Sequence, residues 1–371
     1  METGPRFEFA AAAWFERQLA TDVSCLALLA DDALVAGDWD GDLLCWSTEG
    51  EPRWSTKLPD RVSAIVEGED MLIVACGRDI ACVDSTTGEV RWTAELEGSS
   101  DHIALNAEQE LIVATSSVYD IELNDFLEST IWRLDLSGNL LRRDSIDERP
   151  WSLVLREDGV AEMALGRPRC GLLKADADGT RWVPLPDDSP ATCGINGRLR
   201  TVIGHANGAI SCIEDGFILD DSPYLPQSGP IEDMACISSG LLVAVAADGV
   251  TPSRARAYLR EGAQLWELDA PRGVAVERVL DGPGAAWIGT WSGTASMLIL
   301  MDADDGSPLG HAERDARITA LAANERFAAV GFGDGHLFLF EAELLMRRIG
   351  TEEAPVDDHR VAMRERLRGL R

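Results

Sequence analysis

The sequence predicts an all-β ring of repeated four-stranded units, and three observations carry that prediction. A turn of the form G-x-x-[DNS]-G recurs between short apolar runs, and a glycine turn followed by tryptophan recurs about ten residues downstream. The turn glycines Gly50, Gly88, Gly138, Gly179, Gly216, Gly262 and Gly306 are spaced by 38, 50, 41, 37, 46 and 44 residues. Four short strands in a period near 43 match one blade of a β-propeller rather than half of a sandwich. The prediction is an eight-bladed propeller of antiparallel blades with a short C-terminal helix. Seven blades is the alternative, because the 191–230 unit is poorly patterned.

The first element appears as GDWDG at 37–41, GHANG at 204–208, GTWSG at 289–293 and GFGDG at 331–335. Each joins two apolar runs, and Asp-Gly, Asn-Gly and Ser-Gly supply the positive φ that a tight hairpin needs. The second element reads WSTEGEPRW at 46–54, DSTTGEVRW at 84–92, KADADGTRW at 174–182 and YLREGAQLW at 258–266. The units are 23–61, 62–100, 101–150, 151–190, 191–230, 231–273 and 274–317, followed by 318–340 with three clear strands. The N-terminus is expected to supply the fourth strand there, with Trp14 in the place that Trp54 and Trp92 hold in their units. Joining both chain ends in one blade removes a sheet edge. Residues 1–350 form the propeller on this reading, and 351–371 an acidic hinge and a basic helix.

Composition narrows the function. The 371 residues carry 64 acidic and 33 basic side chains, for a net charge of −31. Such a surface repels nucleic acid and anionic lipid, so neither is an expected partner. No apolar run approaches the roughly 20 residues of a membrane span. The N-terminus has no basic region and carries Glu8 and Glu16, unlike a secretory signal, so a cytoplasmic location is expected. Only Lys57 and Lys174 are lysines, and excess carboxylate with so little lysine resembles proteins of salt-loving archaea. Cys25, Cys45, Cys76, Cys82, Cys193, Cys212 and Cys236 lie in apolar strand-like runs without a C-x-x-C pair, which suits small buried hydrophobes.

The segment ACVDSTTGEVRW at 81–92 resembles the tryptophan-docking repeat of pyrroloquinoline-quinone (PQQ)-like propellers, a class similar to WD-repeat propellers. These include quinoprotein alcohol dehydrogenases and the propeller lipoprotein of the outer-membrane barrel-assembly machinery. The resemblance implies that Trp54, Trp92, Trp182 and Trp266 dock onto neighbouring blades, a packing role that suits a large indole with one donor. The quinoproteins hold PQQ with a vicinal disulfide, a calcium ion and an aspartate base. This sequence has no adjacent cysteine pair, so no PQQ and no other cofactor is expected. His102, His205, His311, His336 and His359 lack metal-ligand spacing. The acidic runs DWDGD at 38–42 and DADDG at 302–306 lack the frame of an EF-hand and read as turns.

A non-catalytic protein-interaction scaffold is therefore the expected function. The alternative is an enzyme or small-ligand sensor using the central funnel. In four-stranded blades the second-to-third hairpin and the inter-blade connection emerge at the same end. That gathers Trp39, Arg78, His205, Trp291 and Phe332 as candidate partner-binding residues, with Trp39, Trp291 and Phe332 expected to form one aromatic patch. Two enlarged hairpins join them, 116–130 with four acids and 247–256 with Arg254 and Arg256. The tail HRVAMRERLRGLR at 359–371 carries five arginines and one glutamate. Met363, Leu367 and Leu370 follow helical spacing there, so Arg364, Leu367 and Arg368 complete the candidate set.

Overall fold

The computed structural model describes residues 3–349 apart from 123, 198, 199 and 215. The tail candidates Arg364, Leu367 and Arg368 lie outside the described residues. Eight four-stranded antiparallel sheets follow one another along the chain. Blade 1 is typical, with strands Val23–Leu28, Leu34–Asp38, Asp42–Trp46 and Pro52–Lys57. Blades 2 to 7 begin at Val62, Ser99, Val154, Ala191, Ile231 and Ala275. Apart from blade 5, which meets blade 4 through the second strand of blade 4, the first strands of successive blades contact one another, which places them around the axis. The weakly patterned 191–230 unit is a full blade with a two-residue outer strand, Phe217–Ile218, so the ring has eight blades and not seven. No described helix is long and apolar enough to cross a membrane.

Burial follows position in the blade. The second strands Leu34–Asp38 and Phe327–Phe332 are buried at every residue, because both faces pack against neighbouring blades. The fourth strands, such as Val90–Glu95, expose alternate residues. All eight cysteines are unpaired thiols, and burial pushes Cys25 up to about 11 and Cys45, Cys76 and Cys193 up to about 12. They pack as neutral hydrophobes.

Tryptophan docking joins the blades. The Nε1–H of Trp54 donates to Ser85 O at 3.0 Å, Trp92 to Leu136 O at 2.9 Å and Trp266 to Ala303 O at 3.0 Å. Each acceptor lies in the turn before the outer strand of the next blade. The turn glycines give the indoles room: a Cβ on Gly88 would sit 2.7 Å from the Trp54 ring, and one on Gly138 would sit 2.7 Å from Trp92. Trp182 departs from the expectation, since its N–H turns back to Cys170 O in its own blade at 3.2 Å. Lys174 spans that seam instead, donating to Gly216 O at 2.6 Å and pairing with buried Glu162 at 2.9 Å.

The last blade combines the chain ends. Phe15–Gln18 pairs antiparallel with His336–Glu341, and Trp14 Nε1–H donates to Thr48 O of blade 1 at 2.8 Å. Before it, helix α1 (Phe9–Ala12) places Phe9 against Phe332 and Phe338, each with centroids 5.2 Å away, while Phe7 packs on Phe340. Helix α2 (Ala342–Arg348) follows the last strand. Its Arg348 donates to the carbonyls of Ala12 and Ala13 at 3.1 and 2.8 Å, which ties the two ends together.

Candidate functional site

The innermost strands share an irregularity that sets the chemistry of the funnel. In seven of the eight blades the pairing of the first two strands shifts by one residue after the first or second pair. The extra residues are Ser24, Ser63, Asp101, Thr192, Glu232, Glu277 and Thr319, all polar. A bulge re-aims its side chain and frees it from the ladder. Two of these hydroxyls tie adjacent blades: Ser24 Oγ donates to Val62 O at 2.6 Å and Thr192 Oγ1 to Ile231 O at 2.6 Å.

The bulges open onto the end where the second-to-third hairpins and the inter-blade connections emerge. A polar well of about 400 Å³ lies there, lined from blades 1, 2, 6, 7 and 8. Its charged wall is Arg61, Arg278 and Arg317 against Glu232 and Glu277. Arg317 holds Glu277 through two hydrogen bonds of 2.8 Å, the geometry in which a guanidinium grips a carboxylate best. Partial burial, reinforced by the Glu277 charge, raises the Glu232 carboxyl above its ordinary range. Asp233 beside it is raised by burial while accepting from the backbone N–H of Val279 at 3.0 Å and of Met234 at 3.0 Å. Trp39 stands at the rim, 50% exposed, with the Arg61 guanidinium 4.5 Å from its ring centroid.

Two further features flank the well. A trough of about 540 Å³ shares Glu232 and Glu277 with it and runs between 246–253 and 271–277. Ala246, Ala247, Val250, Pro252, Pro271 and Val274 give that trough its apolar wall. In blade 3, the strands Leu111–Asp120 and Asp125–Asp135 pair beyond their neighbours into a protruding ribbon. Tyr119, Ile121 and Leu127 are exposed along it. At its base Arg149 lies between Phe126 and Trp151, 3.9 and 4.5 Å from their centroids, and pairs with Asp101 at 2.8 Å. Burial lowers the pKa of neighbouring His102, which favours the neutral imidazole.

Several predicted candidates take other places. Phe332 is fully buried, because Phe9 of the N-terminal helix covers it, so the aromatic patch of Trp39, Trp291 and Phe332 does not exist as a surface. His205 is also buried, bridging Ser189 O and Ser211 Oγ at 2.9 Å each, with its pKa lowered by burial. Arg254 lies in a strand rather than at the hairpin tip and is buried, donating to Ser228 Oγ at 3.0 Å. Arg256 is half-buried against Glu267 and Gln227. Trp291 is half-buried at the end of its strand, and Arg78 is exposed with Glu95 as its ion-pair partner. Among the described candidates, Trp39 alone lines the well. The residues that join it there were missed, although the recurrence V-S, V-S, S-D, A-T, I-E, V-E and I-T near the head of seven innermost strands marks the bulge positions.

Comparison with known proteins agrees with this architecture. The family model described as outer membrane protein assembly factor BamB matches residues 8–122. The fold is that of an eight-bladed β-propeller, and the matched segment is similar to the PQQ-like class. Among solved structures, the computationally designed Ika8 protein is 15% identical, with a TM-score of 0.69 over 88% of this chain and 98% of that one. BamB from Moraxella catarrhalis is 14% identical, with a TM-score of 0.64 over 88% and 96%. Sqt1 from Saccharomyces cerevisiae is 9% identical, with a TM-score of 0.67 over 92% and 99%. A search of curated proteins found no match to the sequence. At these identities the shared property is the fold.

Proposed function

We propose that the chain is a non-catalytic scaffold within a cytoplasmic protein complex, and that its partner binds across the funnel end. One observation carries this reading. Among the described residues, half of the exposed large apolar side chains, namely Trp39, Tyr119, Ile121, Leu127, Trp151 and Val250, lie on hairpins or connections at that end. On a chain of net charge −31, apolar groups gathered on one end suit a specific contact and disfavour casual ones. Aromatic anchors beside arginine are also the usual composition of an interface hot spot. Propellers of this shape are rigid frames on which loops present such groups.

The test compares the wild-type chain with the double variant Trp39→Ala, Ile121→Ser in partner capture from the native host at high salt, followed by a binding titration with the captured partner. Both side chains are half or more exposed, so the unfolding temperature should move by no more than about 2 °C. A hot-spot truncation costs at least about 2 kcal/mol, or roughly thirtyfold in Kd. Undiminished affinity in the variant would place the interface elsewhere. The small-ligand reading rests on the polar well with its partly buried Glu232 and Asp233. It requires the captured partner to bind equally well when the well is occupied by a small molecule.

A further inference from the structure

We infer that the funnel end takes an extended peptide of the partner, with an apolar side chain in the trough and the carboxylate of a following acidic residue in the well. This deepens the reading above and rests on it. The trough and the well share Glu232 and Glu277, so a single segment can run from one into the other. The trough presents aliphatic and proline carbons from two loops, with Val250 87% exposed at its lip. Such a wall recognises an apolar side chain, while Glu232, Glu277 and Arg272 mark the charged margins of the trough.

The well selects the other half of the ligand by charge. Three arginines face two glutamates there, a net positive lining on an acidic protein. Glu277 is already committed to Arg317. Arg61 has only the Trp39 face as its side-chain partner, and Arg278 has no hydrogen bond or ion pair within 4 Å among the described residues. Two guanidiniums without a hydrogen-bonded or ion-paired carboxylate are thus held at the funnel mouth of a chain with 64 acidic residues, with the Arg278 charge reaching Glu232 and Asp233 only at longer range. The hydroxyls of Ser24, Ser63 and Thr319 spend their protons on backbone carbonyls, so the guanidiniums are the donors left for a ligand carboxylate. A guanidinium binds a carboxylate in a planar, two-pronged geometry, so an acidic side chain matches the unfilled donors. Glu232 limits the choice further, because its charge disfavours a run of acids and favours a single one.

The experiment uses the full chain and a library of acetylated, amidated ten-residue peptides in which one leucine and one glutamate are placed at different spacings. Each has a counterpart with glutamine, and another with lysine, in place of glutamate. The inference predicts that one spacing binds, that the glutamine counterpart binds at least tenfold more weakly, and that added salt reduces the difference. The double variant Arg61→Gln, Arg278→Gln should lose the preference for glutamate. Val250→Ser should weaken the glutamate and glutamine peptides equally. Binding with no preference between glutamate and glutamine, or a preference for lysine, overturns the inference. So does free glutarate that binds as well as the best peptide, since the site would then serve a small acid. Loss of the native partner in the Trp39→Ala, Ile121→Ser variant together with no glutamate preference leaves the interface standing and removes this chemistry. Retention of the partner in that variant removes both.

Discussion

A chain that begins at residue 22 is expected to be insoluble, or to unfold at least 15 °C below the full-length protein. The deletion takes away the outer strand of blade 8 and leaves the edge of His336–Glu341 unpaired. It also uncovers Phe332, Phe338 and Phe340, which Phe7 and Phe9 now seal. Removing one buried phenylalanine side chain costs about 3–5 kcal/mol, and two are lost here along with Leu19 and a strand. The milder substitution Phe9→Ala should lower the unfolding temperature without abolishing folding. Thermal unfolding followed by circular dichroism and tryptophan fluorescence checks both. An unchanged transition in the shortened chain would mean that the ring closes without its N-terminus.

Gly88→Ala and Gly306→Ala should each destabilise the fold by about 2–4 kcal/mol, and Gly293→Ala by only about 1 kcal/mol. All three glycines have positive φ, at 74°, 71° and 93°, so each alanine meets backbone strain. They differ in what the new methyl group meets. At Gly88 and Gly306 it meets the docked rings of Trp54 and Trp266, whereas at Gly293 nothing lies within 4 Å. The difference between the two classes therefore measures the docking itself. Denaturant unfolding of the three variants reads it directly, and equal losses would show that the indoles yield without cost.

The same contrast explains how far the sequence could be read. Turn glycines and docking tryptophans were legible because a positive φ admits few residue types and because an indole is rarely placed on an outer strand without a partner. The expectation for Trp182 failed because the period fixes its strand position but not the direction of its N–H. Phe332 failed for a similar reason. Its hairpin is equivalent to that of Trp39, but the segment that covers it arrives from residue 9, more than 300 positions away in the chain. The well was the least legible part. It is assembled from single polar residues at the heads of five innermost strands, from Arg278 on one of those strands, and from Arg61 and Arg317 in the connections between blades. Such residues read locally as solvated turn positions until the ring brings them together.

The claim that the funnel end is the interface is tested most directly by photo-crosslinking. A photoreactive phenylalanine would replace Trp39 or Val250 on that end, or Val90 or Phe217, which are also exposed, on outer strands. Each variant is irradiated with its partner bound, and covalent products are resolved by mass. The account predicts adducts from positions 39 and 250 and none from 90 and 217. Adducts confined to positions 90 and 217 would place the partner on the wall of the ring and contradict it.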